Sequence, residues 1–88
     1  MLVKKQLTVK NRQGLHARPA ALFVQVANKF DSSIIVKNDA EEVNGKSIMG
    51  ILMLGAEMGS TIIIEADGQD AQMAILELEK IIADEEEK

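Results

Sequence analysis

Thr61-Ile62-Ile63-Ile64-Glu65-Ala66-Asp67-Gly68-Gln69-Asp70-Ala71 is the stretch from which the fold can be read. Residues 61–66 are strongly β-prone. Asp67-Gly68 turns the chain. Asp70 stands where a helix N-cap is expected. Residues 71–84 then carry Ala71, Ala74, Ile75, Leu78 and Ile82 at helical spacing. A strand passes through a short turn into an amphipathic helix.

The pattern extends backwards from there. Ser33–Lys37 is a β-branched strand, Asn38-Asp39 is a turn signal, and a short strand near 40–44 completes a hairpin. Ser47 N-caps a short helix at 48–54, and Gly55 and Gly59 bound a loop. At the other end, residues 2–9 read as a strand with Val3, Leu7 and Val9 on one face and Lys5 breaking the alternation. Residues 10–15 form a loop containing Gly14. A helix follows at 17–29 with the stripe Ala20, Phe23, Val26, Ala27 and Phe30, and Asp31-Ser32 ends it. The order is βαββαβα. Four strands with polar outer positions and three helices with apolar stripes predict an α+β fold. Its four-stranded antiparallel sheet carries the helices on one face and leaves the other to water.

Bulk composition narrows the function. Eighty-eight residues make one domain, and 47% hydrophobic content supports a folded chain. Cysteine is absent and histidine occurs once, which leaves neither disulfides nor a thiolate or His-cluster metal site; no metal and no cofactor is expected. Met1-Leu2-Val3-Lys4-Lys5 opens no signal peptide, and no apolar run approaches membrane length, so a cytoplasmic location is expected. The net charge is −4 and the aromatic content 2%, against both nucleic-acid binding and a base-stacking platform. Asp84-Glu85-Glu86-Glu87 reads as a solvated, frayed helix end. Both arginines, Arg12 and Arg18, flank the single histidine, His16.

Gly14-Leu15-His16-Ala17-Arg18-Pro19-Ala20 carries the chemistry. A lone histidine near a helix start is commonly a plain surface or N-cap residue. The cluster changes that reading. First-turn N–H groups of a helix are unpaired and favour anions. Imidazole can take up and release a group near neutral pH, and arginine offers a fork of donors matched to phosphate oxygens. Pro19 suits a first helical turn and Gly14 a turn with close approach of a partner. The assembly reads as a histidine that carries a phosphoryl group.

Ser47 by itself reads as an N-cap. The helix behind it, Ile48-Met49-Gly50-Ile51-Leu52-Met53-Leu54, is apolar all round. If Ile51 and Leu54 face the sheet, Ile48, Met49 and Leu52 lie outward. On the first helix Ala17, Ala21 and Val24 extend the stripe beyond the core. Both sets lie near His16 if the helix starts are neighbours. Such a patch marks a partner surface, although a wide core stripe would look the same in sequence.

Two segments carry a resemblance that spans essentially the whole chain. Gly14–Ala20 is similar to the active-site motif of HPr, the histidine-containing phosphocarrier family of the bacterial phosphoenolpyruvate-dependent sugar phosphotransferase system. Lys46-Ser47-Ile48-Met49-Gly50-Ile51-Leu52-Met53-Leu54-Gly55 resembles that family's regulatory-serine motif, in its Gram-positive form. The resemblance implies an open-faced sandwich of βαββαβα order. It implies that His16 accepts phosphate on Nδ1 from enzyme I and passes it to IIA domains of sugar permeases, with Arg18 as its partner. Ser47 would be the site of HPr kinase/phosphorylase, and the serine-phosphorylated form a corepressor with a catabolite-control transcription factor. The chain would be a monomeric carrier, not an enzyme. A regulatory paralogue of the family lacks the active histidine, and His16 argues against it. A nitrogen-branch paralogue is the further alternative.

Overall fold

The structure, a computed structural model, describes residues 1–83. The elements are β1 (Leu2–Thr8), α1 (Ala17–Ala27), β2 (Ser33–Lys37), β3 (Glu42–Asn44), α2 (Ile48–Leu54), β4 (Thr61–Asp67) and α3 (Ala71–Ala83). The strands form one antiparallel sheet in the order β1-β4-β2-β3. This is the expected open-faced α+β sandwich.

Alternation decides which side of the sheet is covered. Ile62, Ile64 and Ala66 of β4 and Ile34 and Val36 of β2 are buried against Ala20, Phe23 and Ala27 of α1, Ile51 and Leu54 of α2, and Ala71, Ala74, Ile75 and Leu78 of α3. Ile35, Lys37, Ile63 and Glu65 take the alternate positions and are only half-buried. On that open face Lys37 Nζ lies 2.8 Å from Glu65 and Lys4 Nζ 3.8 Å from it. The hydrogen bond to Glu65 raises the Lys37 pKa, and the same bond lowers that of Glu65. Lys5 breaks the pattern of β1, and its ammonium reaches Glu79 of α3 at 3.6 Å.

Several boundaries differ from expectation, each for a local reason. β1 stops at Thr8, and Val9, fully buried, bonds instead to the segment before β4 (Val9 N–H to Ser60 O, 2.9 Å). β3 begins at 42 rather than 40. Asn38 Oδ1 accepts from the N–H groups of Ala40 and Glu41, both at 2.9 Å, which holds 38–41 in a side-chain-closed turn. α1 stops at Ala27 rather than 29. Asn28 caps it, and Lys29 and Phe30 bond three residues back to Val26 and Ala27. Val26 and Phe30 are correspondingly only partly buried. The helix limit expected at 84 and the acidic run 84–87 lie outside the described residues.

Asp70 immediately precedes α3, as expected of a cap, but its carboxylate works across the fold. It accepts from the Asp31 N–H at 2.9 Å, the Ser32 N–H at 3.0 Å and the Ser32 hydroxyl. The Ser32 hydroxyl, then the Asp31 N–H, hold the Asp70 carboxyl below its ordinary value of 3.8. A lowered native pKa stabilises the fold fully above the unfolded value, and that contribution is lost as pH falls through the native one. Asp70→Asn is therefore expected to unfold more easily at neutral pH and to show a shallower loss of stability below about pH 4. Denaturant titrations across that range check this; parallel acid limbs for both proteins would refute it.

Candidate functional site

The loop between β1 and α1 is held by backbone hydrogen bonds from three directions. Gly59 N–H donates to Val9 O at 2.8 Å, Lys10 N–H to Ile82 O at 3.0 Å, and Leu15 N–H to Ala56 O at 2.9 Å. Gly14 N–H closes a turn onto Asn11 O at 3.0 Å, and Asn11 Nδ2 donates to Ile81 O at 3.2 Å. Leu15 is buried. The functional segment is thus fixed between α3 and the strap that joins α2 to β4. Neither Asn11, Leu15 nor Ala56 was marked by sequence reasoning. Their contribution is a backbone bond or an apolar anchor, which residue type does not advertise.

Gly14 has φ +74°, in the left-handed region that glycine enters freely. A Cβ here would strike the Ala56 carbonyl oxygen and come within 2.9 Å of Glu57 Cα. The close approach expected at Gly14 is therefore to the chain's own strap and not to a partner.

His16 occupies the N-cap position of α1 with extended backbone, φ −90° and ψ −167°. Its carbonyl accepts the Ala20 N–H at 2.9 Å, while its side chain makes no capping bond and is exposed. Among the described residues, no group accepts the N–H of Ala17 or of Arg18, and Pro19 has none to offer. Arg18 is exposed and forms no ion pair with a described residue. A free imidazole and two free N–H groups thus stand at the positive end of an 11-residue helix, with the exposed Arg18 in its first turn. That arrangement can receive an anion and can place a nucleophile against it.

Ser47 N-caps α2, its hydroxyl oxygen accepting from the Gly50 N–H at 3.0 Å. Its position corrects one expectation. The start of α2 lies by the end of α1, not its start: Asn28 Nδ2 donates to Lys46 O at 3.2 Å, and Lys46 Nζ donates to Phe30 O at 2.6 Å. The strap after α2, in contrast, meets Leu15. The two helices run in opposite senses, so Ser47 lies by the end of α1 remote from His16, and α1 is about 16 Å long.

The outward residues of α2 are Ile48, Met49 and Leu52, as expected, joined by Met53. Ile51 and Leu54 face the core. On α1, Ala17 and Ala21 are exposed, while Val24 packs against the core and belongs to the stripe. Leu22, also exposed, was not singled out in the sequence because it lies outside the stripe. An apolar surface thus runs beside α2 from Ser47 towards the strap that holds the histidine loop.

Among the described residues no cluster of His, Cys, Asp or Glu could hold a metal ion, and no helix is long and apolar enough to cross a membrane. The sequence model of the family described as PTS HPr component phosphorylation site matches residues 3–84. The HPr-like protein Crh of Halalkalibacterium halodurans is 51% identical over 74 residues, 84% of this chain and 88% of the relative. The phosphocarrier protein HPr of Treponema pallidum is 44% identical over 80 residues, 91% of each chain. The crystal structure of a phosphocarrier protein HPr from Bacillus anthracis superposes with a TM-score of 0.88 at 46% identity, covering 92% of this chain and 96% of that one.

Proposed function

The chain belongs to the HPr family, and from that premise we propose that it is a phosphocarrier whose acceptor is His16. A single domain over residues 1–88 accepts a phosphoryl group from enzyme I, charged by phosphoenolpyruvate, and delivers it to IIA domains of sugar permeases. The chain is a carrier and not a catalyst, acts as a monomer in the cytoplasm, and needs no cofactor.

The observation that carries this reading is the uncapped start of α1. A histidine N-cap whose side chain leaves the helix N–H groups free leaves room for an oxyanion there. His16 Nδ1 attacks phosphorus as the bond between phosphorus and the donor breaks. The Ala17 and Arg18 N–H groups and the Arg18 guanidinium receive the phosphoryl oxygens. Attack requires neutral imidazole. Stabilisation by these donors has to stay modest, since a carrier that holds its cargo tightly cannot release it. Incubation with enzyme I and labelled phosphoenolpyruvate tests the reading: the label should appear on the chain, acid-labile and alkali-stable. No transfer would end it.

Arg18 supports the transfer by geometry as well as charge. Arg18→Ala is expected to slow phosphorylation by roughly 10- to 100-fold, the worth of a hydrogen bond to a charged group. Arg18→Lys should recover only part, because the fork is lost. Equal rates for the three proteins would reduce Arg18 to a solubility residue.

Ser47 is proposed as the regulatory site, modified by HPr kinase/phosphorylase and read by a catabolite-control transcription factor. A phosphate here would sit on the cap of α2, at the edge of the apolar surface formed by Ile48, Met49, Leu52, Ala17 and Ala21. Ser47→Asp keeps a capping side chain, so the fold should persist. Phosphorylation of His16 by enzyme I should fall roughly tenfold, as a charge must be desolvated on docking. An unchanged rate would remove this mechanism.

A second reading, a purely regulatory module, draws support from the 51% identity to a relative named Crh. His16 and its free N–H groups favour the carrier, because regulation through Ser47 requires neither.

A further inference from the structure

The chain has no cysteine, and its sulfur lies entirely in five methionines, Met1, Met49, Met53, Met58 and Met73. Methionine ordinarily fills cores. Here none of the five is in the core; they are between 55% and 67% exposed. Met49 and Met53 stand one turn apart on α2 and share one exposed face. They are 63% and 65% exposed and lie between the Ser47 cap and the strap that fixes the His16 loop.

We propose that Met49 and Met53 form an oxidation site, through which a peroxide reversibly weakens docking of the carrier's phosphoryl donor. The inference rests on the carrier reading of His16 and on α2 as its docking surface. The thioether sulfur attacks one peroxide oxygen. The O–O bond breaks, an S–O bond forms, sulfur is oxidised by two electrons, and the other oxygen leaves as water. Each product side chain is a polar sulfoxide where an apolar one stood. A partner that buries this face must then desolvate two strong acceptors, whereas the core, which holds no sulfur, is untouched. The change therefore acts on association and leaves the fold and the His16 anion site in place.

The test treats the full chain with hydrogen peroxide, locates the added oxygens by peptide mass spectrometry, and measures phosphorylation by enzyme I and phosphoenolpyruvate. KM for the chain is expected to rise at least about fivefold with kcat little changed, in step with oxidation of Met49 and Met53. Treatment with methionine sulfoxide reductases should restore it. The Met49→Leu/Met53→Leu protein, compared with itself before and after peroxide, should show no rise. A Met58→Leu/Met73→Leu protein should remain sensitive. Unchanged kinetics of the oxidised chain, or an equal rise in the protein lacking Met49 and Met53, would overturn the proposal. If the double variant accepts no phosphoryl group, recovery of wild-type KM must track reduction of those two sulfoxides alone, and recovery that tracks Met58 or Met73 refutes it. Failure of the untreated chain to accept phosphate would instead sink the carrier reading, so the two failures are separable.

Discussion

His16→Ala is expected to bring transfer of phosphate from phosphoenolpyruvate to background while changing stability by no more than about 0.5 kcal/mol. The two halves of that outcome have separate causes. Among the described residues the imidazole is the one nucleophile at the free end of α1, so none of them can replace it as acceptor. Stability is spared because the imidazole is exposed and makes no capping bond. The part of His16 that α1 uses is its carbonyl, which accepts the Ala20 N–H at 2.9 Å, and alanine supplies the same group. The assay is incorporation of acid-labile label, with a denaturant titration beside it. Acid-labile phosphate on the alanine protein would show that the acceptor lies elsewhere. A large fall in midpoint would show that the imidazole packs in a way the free cap does not suggest.

Gly14→Ala is expected to do the reverse, damaging the fold first and the chemistry through it. An alanine at φ +74° costs about 1–2 kcal/mol from the left-handed conformation alone. The added methyl also meets backbone, the Ala56 carbonyl and Glu57 Cα, which cannot swing aside as a side chain could. Together these should cost about 2–4 kcal/mol, a large share of the stability of so small a domain. The denaturation midpoint should drop with little change in slope. Phosphorylation should slow as well, because the displaced loop carries Leu15, whose N–H to Ala56 O bond is the last tie before His16. A midpoint equal to that of the parent would show that the loop does not depend on this close approach.

The elements were legible wherever a segment obeyed one period. β4 alternates without interruption and is flanked by a turn signal, and its limits were read to within a residue. α3 repeats its stripe over three turns, and its five marked residues are all buried. The misreadings fall where a side chain competes with the backbone. Asn38 closes a turn that shortens β3, and Asn28 caps α1 early. Asp70 does stand at the cap of α3, its carbonyl accepting the Ala74 N–H at 2.9 Å, but local pattern gives no sign that its carboxylate ties down Asp31 and Ser32, more than 35 residues away in sequence. Of the site, His16, Arg18 and the Ser47 cap were legible because residue type and local context sufficed. The mutual orientation of α1 and α2 was not. Local pattern gives each helix a buried face but no direction relative to its neighbour; that direction comes from long-range ties such as Lys46 Nζ to Phe30 O and Leu15 N–H to Ala56 O.

That opposed arrangement has an electrostatic consequence. The two sites lie by opposite ends of α1, whose length of about 16 Å is roughly two Debye lengths at physiological ionic strength. A dianion on Ser47 and one on His16 would therefore scarcely sense each other in the free protein. Neither mark forbids the other by repulsion, and all four combinations of the two are open to the isolated chain. Any exclusivity between them has to be imposed from outside, by a partner broad enough to lie across both ends of the helix pair at once. The molecule then behaves as a tag with two independent fields, and the reader of the tag, rather than the tag, computes their product.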